Sequence, residues 1–432
     1  MKHHVKVKLY QPLDEDLKIP DWQDFITDKS FIKEDSLPAI DRLMNDLGLK
    51  FWVTREYDPA DDDWGAEERR QGLNRTYRLI LQEDYEIPPD IVERIQLIPT
   101  VEKVRKLEIG EAPLPAPQIS KQSSIPLHGV GDLIYLPYAK AMTRGLSEIK
   151  VAVLDTGVSL NHPELAGRLG KGEDFVDLKG LDTAGFIGDY LDYDEVPEDE
   201  VGHGSHVSGI IAAKGLQMEE GVCPNCTIIP VRVLATMKTP NGLVGAGIVD
   251  NINTGIKWAV DAGVDVINMS LGVKHGGGGL PHEDVIRYAL SKNVTVVAAS
   301  GNDGTAERYY PGALPGVIAV GAVDDAGAVT SFSSYGANIT VVAPGVNIYS
   351  CFANSTYAFA SGTSQASPFV CGTVALMKSF AAQRKSTLSH ADITYILRNS
   401  SDRIDTRMRN EHAGYGLINL ADAFKLLTHL LQ

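Results

Sequence analysis

A chain of 432 residues has room for one large domain and a smaller one, and its 44% hydrophobic and 22% charged content can build a core that needs no disulfide staples. Its net charge of −16 is spread without a basic block. That excludes the positive face that nucleic acid or an anionic membrane requires, and no apolar run is long enough to span a bilayer, so neither is an expected partner.

The first residues, MKHHVKVKLYQPLDED, carry no apolar stretch of signal-peptide length. If Met1 is the native start, the expectation is a cytoplasmic protein made without a conventional secretion signal. A chain whose signal had been removed would read the same, so secretion stays open. VKVKLY, LKFWVTREY, TYRLIL and VEKVRKLEI read as strands, and SLPAIDRLMNDLG and PPDIVERIQLI as helices, the second opening on a Pro-Pro-Asp start signal. Between them PADDDWGAEERRQG reads as a charged, solvated loop. Residues 1–112 are therefore expected to form a small α+β domain. Residues 113–124, with prolines at 113, 115 and 117, read as an extended linker and probable processing region only in the light of the resemblance described below.

From about residue 125 to 432 the pattern changes. IKVAVLD, TIIPVRVL, VDVINMS, VTVVAAS, VIAVGAV and ITVVAP are short, unbroken, β-branched runs, with helical stretches such as IVDNINTGIKWAVDAG and EDVIRYALSK between them. This predicts an α/β fold with a mostly parallel sheet covered by helices on both faces. Ligand sites in such sheets lie beyond the C-terminal ends of the strands. Cys223 and Cys226 form a C-x-x-C, but no second pair or matching His pair follows, and a strand rather than a helix comes next. These two, with Cys351 and Cys371, are expected to be buried and reduced rather than metal or redox groups.

Polar residues stand at several strand ends. Asp155 closes IKVAVLD, either as a cap or as a functional carboxylate. His203 lies between two glycines at the start of an apolar helix, where a backbone or ligand can approach closely. His206 follows one turn later, but H-x-x-H without a nearby Glu is not a metalloprotease pattern, and a packed core residue is expected. Asn302 ends VTVVAAS-GN, either as a turn residue or as an amide donor to an oxyanion. In ASGTSQASP, Pro368 fits only near a helix start, which puts Ser364 at the helix N-terminus, where free N–H groups favour negative charge. Ser361 precedes the turn, and Ser367 caps or packs.

An acid, a histidine, an amide and a serine thus occur with the triad order Asp…His…Ser. DTGV with NHPEL at 161–165, GHGSHVSG, INMSLG, ASGN and SGTSQASP resemble, in order, the subtilisin-like serine proteases (subtilases, peptidase S8), over residues 125 to 425 and including the closing AGYGLINLADA. Two departures, Ser205 where Thr is usual and Gln365 where Met is common, remove no catalytic atom.

The resemblance implies a serine endopeptidase acting on peptide or protein substrates. Ser364 would be the nucleophile, His203 the base, Asp155 its orienter, and Asn302 with the Ser364 N–H the oxyanion donors. It implies a substrate strand lying between Gly245, Ala246 and Gly247 on one edge and Ser270, Leu271 and Gly272 on the other, with Ser300 and Gly301 nearby. Glu307, Arg308 and Tyr309 fall near the expected wall of the pocket for the P1 side chain, and their opposite charges leave that preference open.

Residues 1–112 resemble the family's propeptide in order of elements, which implies an intramolecular chaperone and inhibitor with its tail, between about Glu108 and Ser124, in the cleft. A permanent regulatory or partner-binding domain is the alternative. No cofactor is implied for the chemistry. Structural calcium is common in the family, but the loop AAKGLQMEEGV lacks the Asn-rich character of its strong site. The stretch DYLDYDEVPEDE offers carboxylates that suit either calcium, a solvated loop or a mild preference for basic substrates, so no metal site is identified. From other function classes, a catalytically silent peptide-binding or regulatory protein on the same fold, and a cysteine or metal enzyme using CPNC, remain as alternatives.

Overall fold

The computed structural model describes residues 3–23, 36–83, 85, 87–113, 118–119, 129–178, 183–190, 194–240, 242–274 and 279–432. Most of the linker, the first residues after it and the centre of the acidic stretch lie outside the described residues. In the N-terminal region β1 (His4–Leu9), β2 (Phe51–Arg55), β3 (Thr76–Leu81) and β4 (Val101–Lys106) form an antiparallel sheet in the order β2-β3-β1-β4. Helices Pro38–Asp46 and Ile91–Gln96 lie over it, with Ile40, Met44, Ile91 and Ile95 packed on Val5, Val7, Leu79 and Val104.

Alternation along β1 sends Val5 and Val7 to that core and His4, Lys6 and Lys8 to the opposite face. Such a face would ordinarily be solvated. Here it is buried, because it docks on the larger body. His4 Nε2 lies 2.7 Å from Asp250 Oδ2, Lys6 pairs with the same carboxylate, and Lys8 Nζ reaches Asp284 at 3.2 Å. The segment expected to be a solvated loop is corrected as well. It contains helix Ala66–Gln71, whose buried Glu68 pairs with Lys257 Nζ at 2.8 Å.

The run VEKVRKLEI is not one strand. It breaks after Lys106, and β5 (Ile109–Pro113) leaves the N-terminal sheet, followed by β6 (Gln118–Ile119). The larger body continues with β7 (Lys150–Asp155), β8 (Glu173–Asp174), β9 (Phe186–Ile187), β10 (Thr227–Arg232), β11 (Ala235–Thr239) and β12 (Gly242–Ile248). It is completed by β13 (Val266–Met269), β14 (Val273–Lys274), β15 (Thr295–Ala299), β16 (Tyr309–Tyr310), β17 (Ile318–Val323), β18 (Ile339–Pro344), β19 (Ile348–Phe352) and β20 (Thr356–Ala360).

Among the described residues the main sheet has seven parallel strands in the order β18-β17-β15-β13-β7-β10-β8, and all six apolar runs lie in it. One face packs on helices His203–Ala212 and Thr363–Ala382, and the other on Val249–Asp261 and Glu283–Ser291. Helix Thr363–Ala382 is buried from Thr363 through Ala381. A helix enclosed on every side is a rigid mount for whatever its first turn carries. All four cysteines are buried, and none is in a disulfide.

Candidate active site

The site gathers where β7, β13 and β15 end and two helices begin. Asp155 is the last residue of β7 and is fully buried. His203 opens its helix, and its Nδ1 lies 2.6 Å from Asp155 Oδ1. Burial works against charge on the imidazole, but the Asp155 carboxylate and its hydrogen bond outweigh it, so the His203 pKa stands above the ordinary histidine value. His203 Nε2, the ring's other nitrogen, is buried and makes no hydrogen bond among the described residues.

Ser364 is the second residue of helix Thr363–Ala382, so its backbone N–H belongs to the first turn, whose donors have no intrahelical partner. Its Oγ donates to the Ser270 carbonyl at 3.1 Å rather than to His203. Asn302 accepts the Thr363 N–H at 2.8 Å and the Thr363 hydroxyl at 2.9 Å, both on Oδ1. A backbone N–H can only donate, which fixes the amide orientation and leaves Nδ2 as the free-facing donor group. Ser364 and Asn302 line one cavity with Ser270, Leu271, Gly272, Ala299, Gly301, Asp303, Tyr309 and Thr363.

The sequence-predicted substrate residues divide. Ser270, Leu271, Gly272 and Gly301 border the cavity beside Ser364. Ser300 does not. Alternation turns it away from the flanking Ala299 and Gly301, and its N–H bonds to Val320 in the sheet. Gly245, Ala246 and Gly247 lie on β12, and there the edge is taken: β5 pairs with it antiparallel, matching Ala112 to Gly245, Glu111 to Ala246 and Gly110 to Gly247. On its far side β5 meets β14 closely, since a Cβ at Gly110 would come 2.7 Å from Val273 Cγ2. The chain's own strand therefore occupies the Gly245–Gly247 edge and touches Val273, the residue after the Ser270–Gly272 edge, and its continuation, β6, pairs with β20.

Residues 147–416 match the family model described as the subtilase family, peptidase S8. The chain belongs to the subtilase family. It is 38% identical over 291 residues to the thermophilic serine proteinase of Bacillus sp. (strain AK1), covering 67% of this chain and 65% of that one. It is 37% identical over 273 residues to thermitase of Thermoactinomyces vulgaris, covering 63% of this chain and 87% of that enzyme. A solved structure, that of the prenylagaramide maturation protease PagA, superposes with a TM-score of 0.55 at 29% identity, covering 68% of this chain and 98% of that one. This subtilase is a serine endopeptidase, and its substrates are peptides or proteins.

Three polar residues around the subtilase site are buried in a way that the sequence reading did not anticipate. Asp199, buried in the acidic stretch, accepts from Thr156 Oγ1 at 2.9 Å, from the Gly202 and Ser205 N–H groups at 2.8 Å each and from Ser205 Oγ at 2.7 Å. It ties the turn after Asp155 to the start of the His203 helix, and burial raises its pKa. Glu164, fully buried, accepts the N–H groups of Gly215, Leu216 and Gln217 and so closes the loop that was weighed for calcium. Gln365 is fully buried, and neither of its amide atoms has a partner among the described residues. Nothing in a linear sequence separates such carboxylates and amides from solvated ones.

His206 is the core residue expected. Its Nε2 faces the carbonyls of Ile348 at 3.0 Å and Ala358 at 3.2 Å, and burial lowers its pKa to about 4. Ser367 bonds Asn268 Oδ1 at 2.7 Å, and Ser361 Oγ accepts the Asn347 N–H at 2.9 Å, both as scaffold. Among the described residues no group of three or more His, Cys, Asp or Glu is arranged to hold a metal, and no helix is long and apolar enough to cross a membrane.

Proposed function

We propose that this subtilase hydrolyses peptide bonds through Asp155, His203 and Ser364 by way of an acyl-enzyme, and is made as a proenzyme that processes itself. The observation that carries the reading is the 2.6 Å bond from His203 Nδ1 to a buried Asp155, which fixes the ring and leaves Nε2, buried and unpartnered among the described residues, to act as the base. Ser364 Oγ attacks the carbonyl as His203 Nε2 takes its proton. The imidazolium, stabilised by Asp155, then protonates the leaving amine, and water repeats the sequence in reverse on the acyl-enzyme. Asn302 Nδ2 and the Ser364 N–H receive the oxyanion. Loss of one such donor costs about 10²–10³ in kcat, a magnitude that comes from subtilisin, a member of this family.

The Ser364 hydroxyl bonded to the Ser270 carbonyl supports a resting arrangement. A substrate strand laid along Ser270–Gly272 brings an N–H that competes for that carbonyl. The displaced hydroxyl is then free to turn to His203 Nε2. Substrate binding and nucleophile activation become one event.

Several contacts favour the N-terminal region as intramolecular inhibitor. β5 fills the edge of β12 that a substrate would pair with. The docked face also carries Arg78, buried, which pairs with Glu56, reaches Asn251 Oδ1 at 2.9 Å and stacks over Trp22. Across the boundary the buried Asp250 pairs with Lys6 and the buried Glu68 with Lys257, and removing one partner of such a buried charge pair is expensive, which holds the two bodies in one registry. A structural calcium ion, if present, is proposed to serve stability alone. The catalytically silent alternative would require a missing group, and all four are present.

Purified wild type and Ser364→Ala, compared by intact mass and N-terminal sequencing, test the reading. Wild type is expected to be cut within residues 113–124 and the variant to stay intact. The same product from both would sink self-processing.

A further inference from the structure

The cavity beside Ser364 is small, at about 20 Å³, and Tyr309 forms one wall of it. A space of roughly 10–15 Å³ holds one water, so this one admits a group of methyl or hydroxymethyl size. Leu271 and Ala299 border it from the sheet side, and Gly272 and Gly301 from either flank.

The tyrosine fills the space that the glycines leave. A Cβ at Gly301 would come 2.5 Å from Tyr309 Cδ2, and one at Gly272 would come 3.0 Å from Tyr309 Cβ. Gly301 also holds a φ of +106°, which other residues rarely adopt. The ring therefore spans the mouth, in contact with both sides. It is pinned at each end. Its backbone is in β16, paired with Lys274 of β14. Its hydroxyl donates to Asp303, while Lys274 Nζ lies 3.1 Å from Asp303, 2.7 Å from Glu307 and 5.4 Å from the ring centre. Glu307 and Arg308 are exposed and do not line the cavity, so their charges do not enter it.

We infer that Tyr309 determines specificity by capping the P1 pocket, restricting this subtilase to small uncharged P1 side chains such as alanine and serine. The inference rests on the proposed role of Ser364, because that role makes this cavity the one that receives the side chain next to the attacked carbonyl. A leucine, phenylalanine or lysine side chain would have to displace a ring held by a strand pair and a hydroxyl tether. Filling a pocket or leaving it short by one methylene already changes kcat/KM by roughly 10–200-fold.

The test uses the purified protein after its expected cut within residues 113–124 and removal of the N-terminal region, with internally quenched peptides that differ only at P1 and Ser364 counted by a fluorophosphonate. Alanine and serine are expected to exceed leucine, phenylalanine and lysine by about tenfold or more in kcat/KM. Tyr309→Ala should raise the phenylalanine and leucine substrates relative to the alanine substrate by about tenfold or more, whereas Tyr309→Phe, which keeps the ring and the strand pair and loses only the hydroxyl tether, should raise them less. Wild type that labels at Ser364 yet prefers large P1 residues would overturn the inference alone. So would a labelled Tyr309→Ala variant with an unchanged P1 ratio. Wild type that does not label at Ser364 would overturn the nucleophile assignment and this inference with it.

Discussion

Ser270 and Ser364 hold each other through two hydrogen bonds: Ser364 Oγ donates to the Ser270 carbonyl at 3.1 Å, and Ser270 Oγ donates to the Ser364 carbonyl at 2.8 Å. The second bond has a cause in the sequence. In a helix the Ser364 carbonyl would accept from the residue four positions on, and that residue is Pro368, which has no N–H. Ser270 supplies the missing donor. The proline that marks the helix start thus also couples the nucleophile to the substrate-binding edge.

Ser270→Ala leaves that carbonyl buried and unpartnered. The expected result is a loss of about 1–2 kcal/mol in denaturant unfolding. A fall of about tenfold in kcat/KM is expected with it, the rate equivalent of about 1.4 kcal/mol. A variant with wild-type stability and kinetics would show that the carbonyl finds another donor.

The pH dependence follows from His203. Its neutral form is the base, and its pKa is raised, so kcat/KM should fall with acid on a limb lying above the ordinary 6.5. Removing the carboxylate with Asp155→Asn should both cost activity and move the limb to lower pH. A wild-type limb below that value would contradict the assignment.

Acid should loosen the docked N-terminal region. His4, beside Asp250, Lys6 and Arg78, and His282, near Arg105, Lys6 and Asp250, are fully buried, and burial lowers both pKa values, that of His282 to about 3. Undocked, each returns toward its ordinary 6.5, so docking is unaffected above that value and weakens as pH falls through it. Asp250, held well below the ordinary carboxylate value, keeps its contribution throughout this window. Glu56, raised by burial and countered by Arg78, works in the opposite direction from its ordinary 4.5 upward, one carboxylate against two histidines. Hydrogen-exchange protection of Val249–Asp261 in full-length Ser364→Ala, corrected for intrinsic rates, should drop between about pH 7.5 and about pH 5.5. Unchanged protection would refute it.

Gln365 offers a stability test. A buried amide with neither atom partnered among the described residues carries a desolvation penalty. Gln365→Met keeps the volume and removes the polar atoms, so a gain of about 1 kcal/mol is expected by chemical denaturation. A loss would mean that the amide is satisfied in solution.

Six of the seven strands of the main sheet were legible because strands covered on both faces need no polar alternation, and their residues announce it; the two-residue β8 carries no such run. The candidate site was legible because Asp155, His203, Asn302 and Ser364 stand at strand or helix ends, and the structure brings Asp155 to His203 and sets Ser364 and Asn302 on one cavity. What stayed hidden was polar burial. Glu68, Glu164 and Asp199 look like any surface acids until the fold encloses them, and the basic face of β1 reads as solvated until Asp250 and Asp284 meet it. The pocket was hidden for a related reason. Glu307, Arg308 and Tyr309 are consecutive in sequence, and only the pairing of β14 with β16 decides which of them faces the cavity.

The most direct test of the account is the site of covalent labelling by a small fluorophosphonate, located by peptide mass spectrometry. The account predicts one adduct, on Ser364, absent in Ser364→Ala and formed far more slowly in His203→Ala. No adduct, or an adduct on Ser361 or Ser367 instead, would contradict it.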